Sequence, residues 1–113
     1  MTLIYKLLPQ SEWQAAKAAG VFKGSGIDLA DGYIHFSTGE QAQETARRYF
    51  AGQADLMLLT LEADDLGPKL VWEPSRGGDL FPHLYEPLAL DKVKSETPLD
   101  LDSDGIPRLG DLA

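Results

Sequence analysis

The 113 residues predict an α+β domain with two helices in its N-terminal half. Three observations carry this. Two segments, "QSEWQAAKAAG" and "TGEQAQETARRYFAG", follow helical grammar, and both lie before residue 53. Short runs rich in strand formers flank them. After the second helix the pattern is almost wholly strand-like, so strands and helices are not evenly alternated as in a parallel α/β sheet.

The elements follow in order. "TLIYKLL" alternates loosely and predicts a strand over Thr2 to Leu8. Ser11 followed by Gln14 has the capping-box spacing, and Gly20 suits a C-terminal cap, so a helix is expected from about Ser11 to Ala19, with Trp13 and Ala16 on its packed face. "VFKGSGIDLADG" is punctuated by glycine and reads as a loop with room for a short turn. "YIHFS" is strand-like. Thr38 and Gln41 repeat the capping-box pattern; Ala42, Ala46, Tyr49 and Phe50 form a helical stripe, and Gly52 follows it. "DLMLLTLEA" is a continuous apolar run of strand length, expected to be covered on both faces. "DDLGP" is a turn, "KLVWEP" a strand, and "SRGGDLFPHLYEP" a loop with a short extended piece. "LALDKVKSE" reads as a last strand with Leu88, Leu90 and Val93 inward. From about residue 96 the chain is acidic and broken by prolines, and is expected to wrap the surface or fray. One domain spanning 1–113 accommodates all of this.

Composition narrows the function classes. Ten Lys and Arg against eighteen Asp and Glu leave a formal charge of −8. Such a surface repels phosphate backbones, so nucleic acid is not an expected partner. No apolar run approaches the roughly 20 residues that span a bilayer. Cysteine is absent, which removes disulfides and thiolate chemistry and fits a reducing, cytoplasmic setting. The oligomeric state is left open.

Candidate chemistry gathers at the two histidines. On a strand, Tyr33, His35 and Ser37 share one face while Ile34 and Phe36 share the other. With Ile34 and Phe36 in the core, His35 and Ser37 point to solvent or into a cleft. His83 follows a glycine pair and Pro82, with Arg76 upstream and Tyr85 downstream: a cation, a proton-transfer group and a phenol that suit an anionic ligand. The competing reading is that Phe81 and Leu84 plug the core while His83 hydrogen-bonds a carbonyl. A metal site would need His35, His83 and a carboxylate such as Asp79 or Glu86, and no metal-ligand spacing supports it. Asp100, Asp102, Asp104 and Gly105 fall at EF-hand positions, but Asp111 stands where the bidentate Glu belongs and Pro107 interrupts the loop.

"LIYKLL", "SEW", "DGYIHFST" and "FPHLYEPL" together resemble a bacterial domain-of-unknown-function family, number nine-five-two, over nearly the whole chain up to about Val93. That family's fold is similar to the ADP-ribosyltransferase superfamily. The resemblance implies a bent, split β-sheet with an NAD-binding cleft between its halves. It also implies a cleft lined by Lys6, His35, Ser37, Trp72, His83 and Tyr85. Lys6 stands where that superfamily expects a first-strand histidine, and the strand expected to hold a catalytic glutamate falls at "FPHLYEPL".

The function expected is therefore an enzyme or enzyme relative that binds a nucleotide-like (NAD-like) or other phosphorylated small molecule. His35 and His83 are the acid–base candidates. Lys6 and Arg76 would neutralise phosphate, Ser37 and Tyr85 would position the ligand, and Trp72 would stack on a flat ring. The alternative is a non-catalytic binding or interaction module. No cofactor is assigned from the sequence.

Overall fold

The computed structural model of the chain describes residues 2–110 and Leu112, without the side chain of Arg76. It is a mixed α+β structure of antiparallel sheets. The order is β1 (Leu3–Pro9), α1 (Gln10–Ala19), β2 (Val21–Phe22), α2 (Ile27–Asp31), β3 (Ile34–His35), β4 (Ser37–Thr38) and α3 (Gly39–Tyr49). Then come β5 (Leu56–Glu62), β6 (Leu70–Pro74), β7 (Leu80–Leu84), β8 (Leu88–Ala89) and β9 (Val93–Leu99). A four-stranded sheet runs β4-β1-β5-β9, a three-stranded sheet runs β3-β7-β6, and β2 pairs with β8.

β5 is the centre of the larger sheet and is buried along almost its whole length, as its unbroken apolar sequence predicts. Strand alternation sorts its residues onto two cores. Met57, Leu59 and Leu61 join Ile4, Leu8, Trp13, Ile34 and Leu84 on one side. Leu56 and Leu58 join Tyr5, Leu7 and the α3 residues Ala42 and Ala46 on the other. Lys6 lies between Ile4 and Leu8 on β1, so alternation carries its ammonium to the first of these cores.

Helix α3 starts with the expected capping box: Gln41 N–H donates to the Thr38 hydroxyl, and Thr38 N–H donates to the Gln41 side chain. Its stripe is narrower than expected. Tyr49 is exposed, Phe50 is half-buried and is the C-cap, and Gly52 follows the end as expected. At α1 the expected Ser11–Gln14 box is absent. Pro9 is the N-cap, so Ser11 falls inside the first turn and Ser11 makes no capping bond. Gly20 does close the helix in the left-handed conformation, its N–H donating to Ala16.

Four loop and strand expectations need correction. The glycine-rich "VFKGSGIDLADG" holds both β2 and the one-turn-plus α2. "YIHFS" is two strands, because the chain leaves the smaller sheet at Phe36 and enters the larger one at Ser37. "LFPHL" is a full strand, β7, in the middle of its sheet, despite Pro82; the Pro82 carbonyl accepts from Phe36 N–H. "LALDKVKSE" breaks into β8, a turn at Leu90–Lys92, and β9. Leu88 is buried there, while Leu90 and Val93 pack partly against the core.

The acidic C-terminal stretch is folded among the described residues. Leu99 and Leu109 are buried in the second core, and Leu101 bridges to Pro107. The Asp102 carboxylate accepts from the N–H groups of Asp104 and Ile106. Its oxygen is thus used by its own turn, as Asp side chains commonly are. Asp111, the twelfth position of the EF-hand pattern, lies outside the described residues.

Candidate functional site

The site forms where the smaller sheet meets α2. β3 and β7 pair with His35 directly opposite His83, and β6 lies on the far side of β7. Alternation puts His83 and Tyr85 on the same face of that sheet as Glu73. The two imidazoles stand 5.2 Å apart, edge to face. The Tyr33 ring covers both, 4.6 Å from His35 and 4.3 Å from His83, and lies 5.0 Å from Tyr85.

Each histidine leans on a carboxylate through Nδ1. His35 Nδ1 is 2.6 Å from Asp28 Oδ1, and its Nε2 is 3.0 Å from Asp31 Oδ2. His83 Nδ1 is 2.8 Å from Glu73 Oε1, which also accepts from the Tyr85 hydroxyl at 2.6 Å. Asp28 is itself tied four ways. It accepts from the N–H groups of Ser25 and His35, meets the His35 ring, and pairs with Lys6 Nζ at 2.7 Å. Gly24 allows this closeness. Its φ is +126°, and a Cβ there would stand 2.9 Å from the Asp28 Cβ, closer than real contacts permit.

The electrostatics follow from these contacts. Burial alone would push the Asp28 carboxyl up; the His35 hydrogen bond and the Lys6 charge outweigh it and hold Asp28 below the ordinary range. Burial pushes the Lys6 ammonium down, against the pull of Asp28. The hydrogen bonds from Tyr85 and His83 keep Glu73 low. The Glu73 carboxylate in turn pushes the Tyr85 phenol up to about 12. Tyr33 is also raised, by burial and then by the charges of Asp31 and Glu73.

Beside this cluster lies a recess of about 250 Å³ bordered by Tyr33, Tyr85, Leu29, Pro87, Lys23 and Glu86. Tyr33, Tyr85 and Asp28 belong to both, while neither histidine lines the recess itself.

Of the residues singled out from the sequence, His35, His83 and Tyr85 come together, and Lys6 joins them through Asp28. Lys6 is buried and paired, which removes it as a free phosphate-binding cation. Ser37 does not join them: the sheet switch at Phe36 turns it toward α3, where its hydroxyl shares a hydrogen bond with Thr45. Trp72 pairs with Pro82, on the face of β6 opposite Glu73, and so does not line this cluster. The Arg76 side chain lies outside the described residues. Among the described residues no three His, Asp or Glu gather in a way that could hold a metal ion. The same residues show no helix long and apolar enough to cross a membrane.

Asp28, Asp31, Tyr33 and Glu73 escaped the sequence reading as site residues. Signals existed for two. Tyr33 shares the alternation of His35, and Glu73 is the polar residue between the apolar Trp72 and Pro74 on a strand. Asp28 and Asp31 had none, because their segment reads as a loop.

Comparison with known proteins places the chain in a family. The family described as "Protein of unknown function (DUF952)" matches residues 7–96. The crystal structure of protein CC0527 from Caulobacter crescentus is 63% identical, covers 97% of this chain and 96% of that one, and superposes with a TM-score of 0.95. A double mutant of CC0527 is 62% identical over the same shares, with a TM-score of 0.94. Its solution NMR structure is 63% identical over 98% and 96%, with a TM-score of 0.88. No curated protein matches.

Proposed function

The chain belongs to this family of proteins of unknown function, and from that premise we propose that it is a small cytoplasmic acid–base enzyme, or a relative of one, acting on a nucleotide-like (NAD-like) or other phosphorylated small molecule. One observation carries the reading: His35 and His83 face each other across a strand pair, each with Nδ1 on a carboxylate. Imidazoles held this way are oriented for proton transfer. Two exposed-edge tyrosine rings border a recess beside them, where a flat ring could stack. Lys23 is the described cation at that recess, and it takes the phosphate role in place of the buried Lys6.

The proposal extends to the fold, read as an ADP-ribosyltransferase-like split sheet. Its support is the order of β1 and α1, a glycine-rich segment that holds β2 and α2, the strands β3 and β4 in the two different sheets, and α3. The likeness is one of architecture, and function rests on the site.

The test is thermal melting with NAD, ADP-ribose, mononucleotides and sugar phosphates. A ligand at a hundredfold its dissociation constant adds about 2.7 kcal/mol, a shift on the order of 10 °C for a domain of this size. The expected result is a shift with a nucleotide that His83→Ala abolishes. No shift with any member of the panel would overturn the reading in favour of a non-catalytic interaction module.

A further inference from the structure

We propose that the two histidines have unequal roles: His83 is the proton-transfer group, and Glu73 is the residue that positions it. This rests on the acid–base reading above and assigns roles within the same site.

His35 is fully engaged. Both ring nitrogens meet carboxylates, and its backbone N–H is fixed on the same Asp28 that holds the ring. Asp28 is anchored in turn by Lys6 and the Ser25 backbone. Moving a proton through His35 would mean breaking one of these bonds. Its place in the structure is that of a strut between α2 and β3.

Among the described residues His83 is engaged on one side alone. Nδ1 meets Glu73 Oε1, and no described residue hydrogen-bonds Nε2. A carboxylate at Nδ1 keeps the proton there and leaves the Nε2 lone pair as the acceptor, as carboxylate partners do for histidines elsewhere. Glu73 is itself fixed: the Tyr85 hydroxyl donates to the same oxygen. The β6 carboxylate is therefore held by two groups from the β7 side, His83 within that strand and Tyr85 just beyond it.

His83 is 3% exposed, and the Tyr33 ring lies over it. No described residue hydrogen-bonds the Tyr33 hydroxyl, so that ring is held by stacking. Tyr33 also lines the recess, so its displacement by a ligand there would uncover the His83 ring. The step is then simple. A ligand O–H bond breaks with its electron pair left on oxygen, an N–H bond forms at Nε2, and Glu73 faces the resulting imidazolium.

The experiment is long-range proton–nitrogen NMR of the imidazoles in ¹⁵N-labelled protein, followed across about pH 5 to 9, where histidines titrate. In the wild type, the neutral His83 ring is expected to carry its proton on Nδ1. Glu73→Ala should lose that preference, with the two nitrogen shifts converging. Tyr85→Phe should keep it, because Glu73 remains. A wild-type His83 protonated on Nε2 would overturn the proposal, whether or not the variants fold. So would a Glu73→Ala protein whose His83 spectrum matches the wild type. The ligand panel above is read separately. A nucleotide shift with the wrong tautomer sinks this assignment alone, whereas the right tautomer with no ligand shift sinks the enzyme reading and the proton-transfer role with it, leaving Glu73 only as the group that fixes the His83 ring.

Discussion

Lys6 and Asp28 meet 2.7 Å apart with both side chains almost wholly buried, one from the middle of β1 and the other from α2. The pair joins the apolar core to the histidine cluster, because Asp28 also holds the His35 ring.

Removing either partner leaves the other charge buried, which typically costs about 3–5 kcal/mol. The two losses differ in kind. Asp28 without Lys6 keeps bonds from Ser25 and His35, whereas Lys6 without Asp28 has no described carboxylate at ion-pair distance and only the weaker, more distant pull of Glu12. Asp28→Ala is therefore expected to destabilise more than Lys6→Met in urea unfolding. Equal losses would contradict this.

The same pair sets an acid limb. The folded Asp28 carboxyl lies below its unfolded value of about 3.9. Its contribution is thus full above about pH 4 and is lost as pH falls through the lowered folded value. Lys6→Met removes one of the groups that lower it and leaves burial in place, so acid unfolding should begin at higher pH. An unchanged acid midpoint, followed by circular dichroism, would show that Lys6 does not support Asp28.

The chain has four tyrosines. Ultraviolet titration should resolve one phenol ionising at about 12. That step should vanish in Tyr85→Phe and move down in Glu73→Gln, because the Glu73 carboxylate is what raises it. A Glu73→Gln titration identical to the wild type would remove Glu73 as the cause.

Thr38 ends β4 and caps α3 at once. Thr38→Ala should cost about 1 kcal/mol, the usual value of such a cap, and Thr38→Ser should recover most of it. Leu59, fully buried at the centre of β5, should cost about 2–5 kcal/mol as Leu59→Ala. Thermal unfolding checks both.

Much of the frame was legible one residue at a time. The apolar run of β5, the alternation of β1 and the Thr38–Gln41 box are local patterns, and each formed where periodicity placed it. The burial of Trp13, Ala16, Ile34 and Phe36 follows from the same periodicities. The pairing of histidines was half legible. Residue types pointed to His35 and His83, and the register of β3 on β7 is what brought them 5.2 Å apart.

What the sequence by itself determined is the set of periodic elements, their buried faces and the residue types able to transfer protons. Local periodicity encodes these, because it depends only on neighbours along the chain. Tertiary structure decided which polar groups meet. Asp28 reaches Lys6 across 22 positions of sequence, the sheet switch at Phe36 parts Ser37 from His35, and pairing of β6 with β7 selects Glu73 over Trp72 as the partner of His83. A buried charge or imidazole takes whichever partner the fold carries to it, and that partner's position is set by strand register and packing.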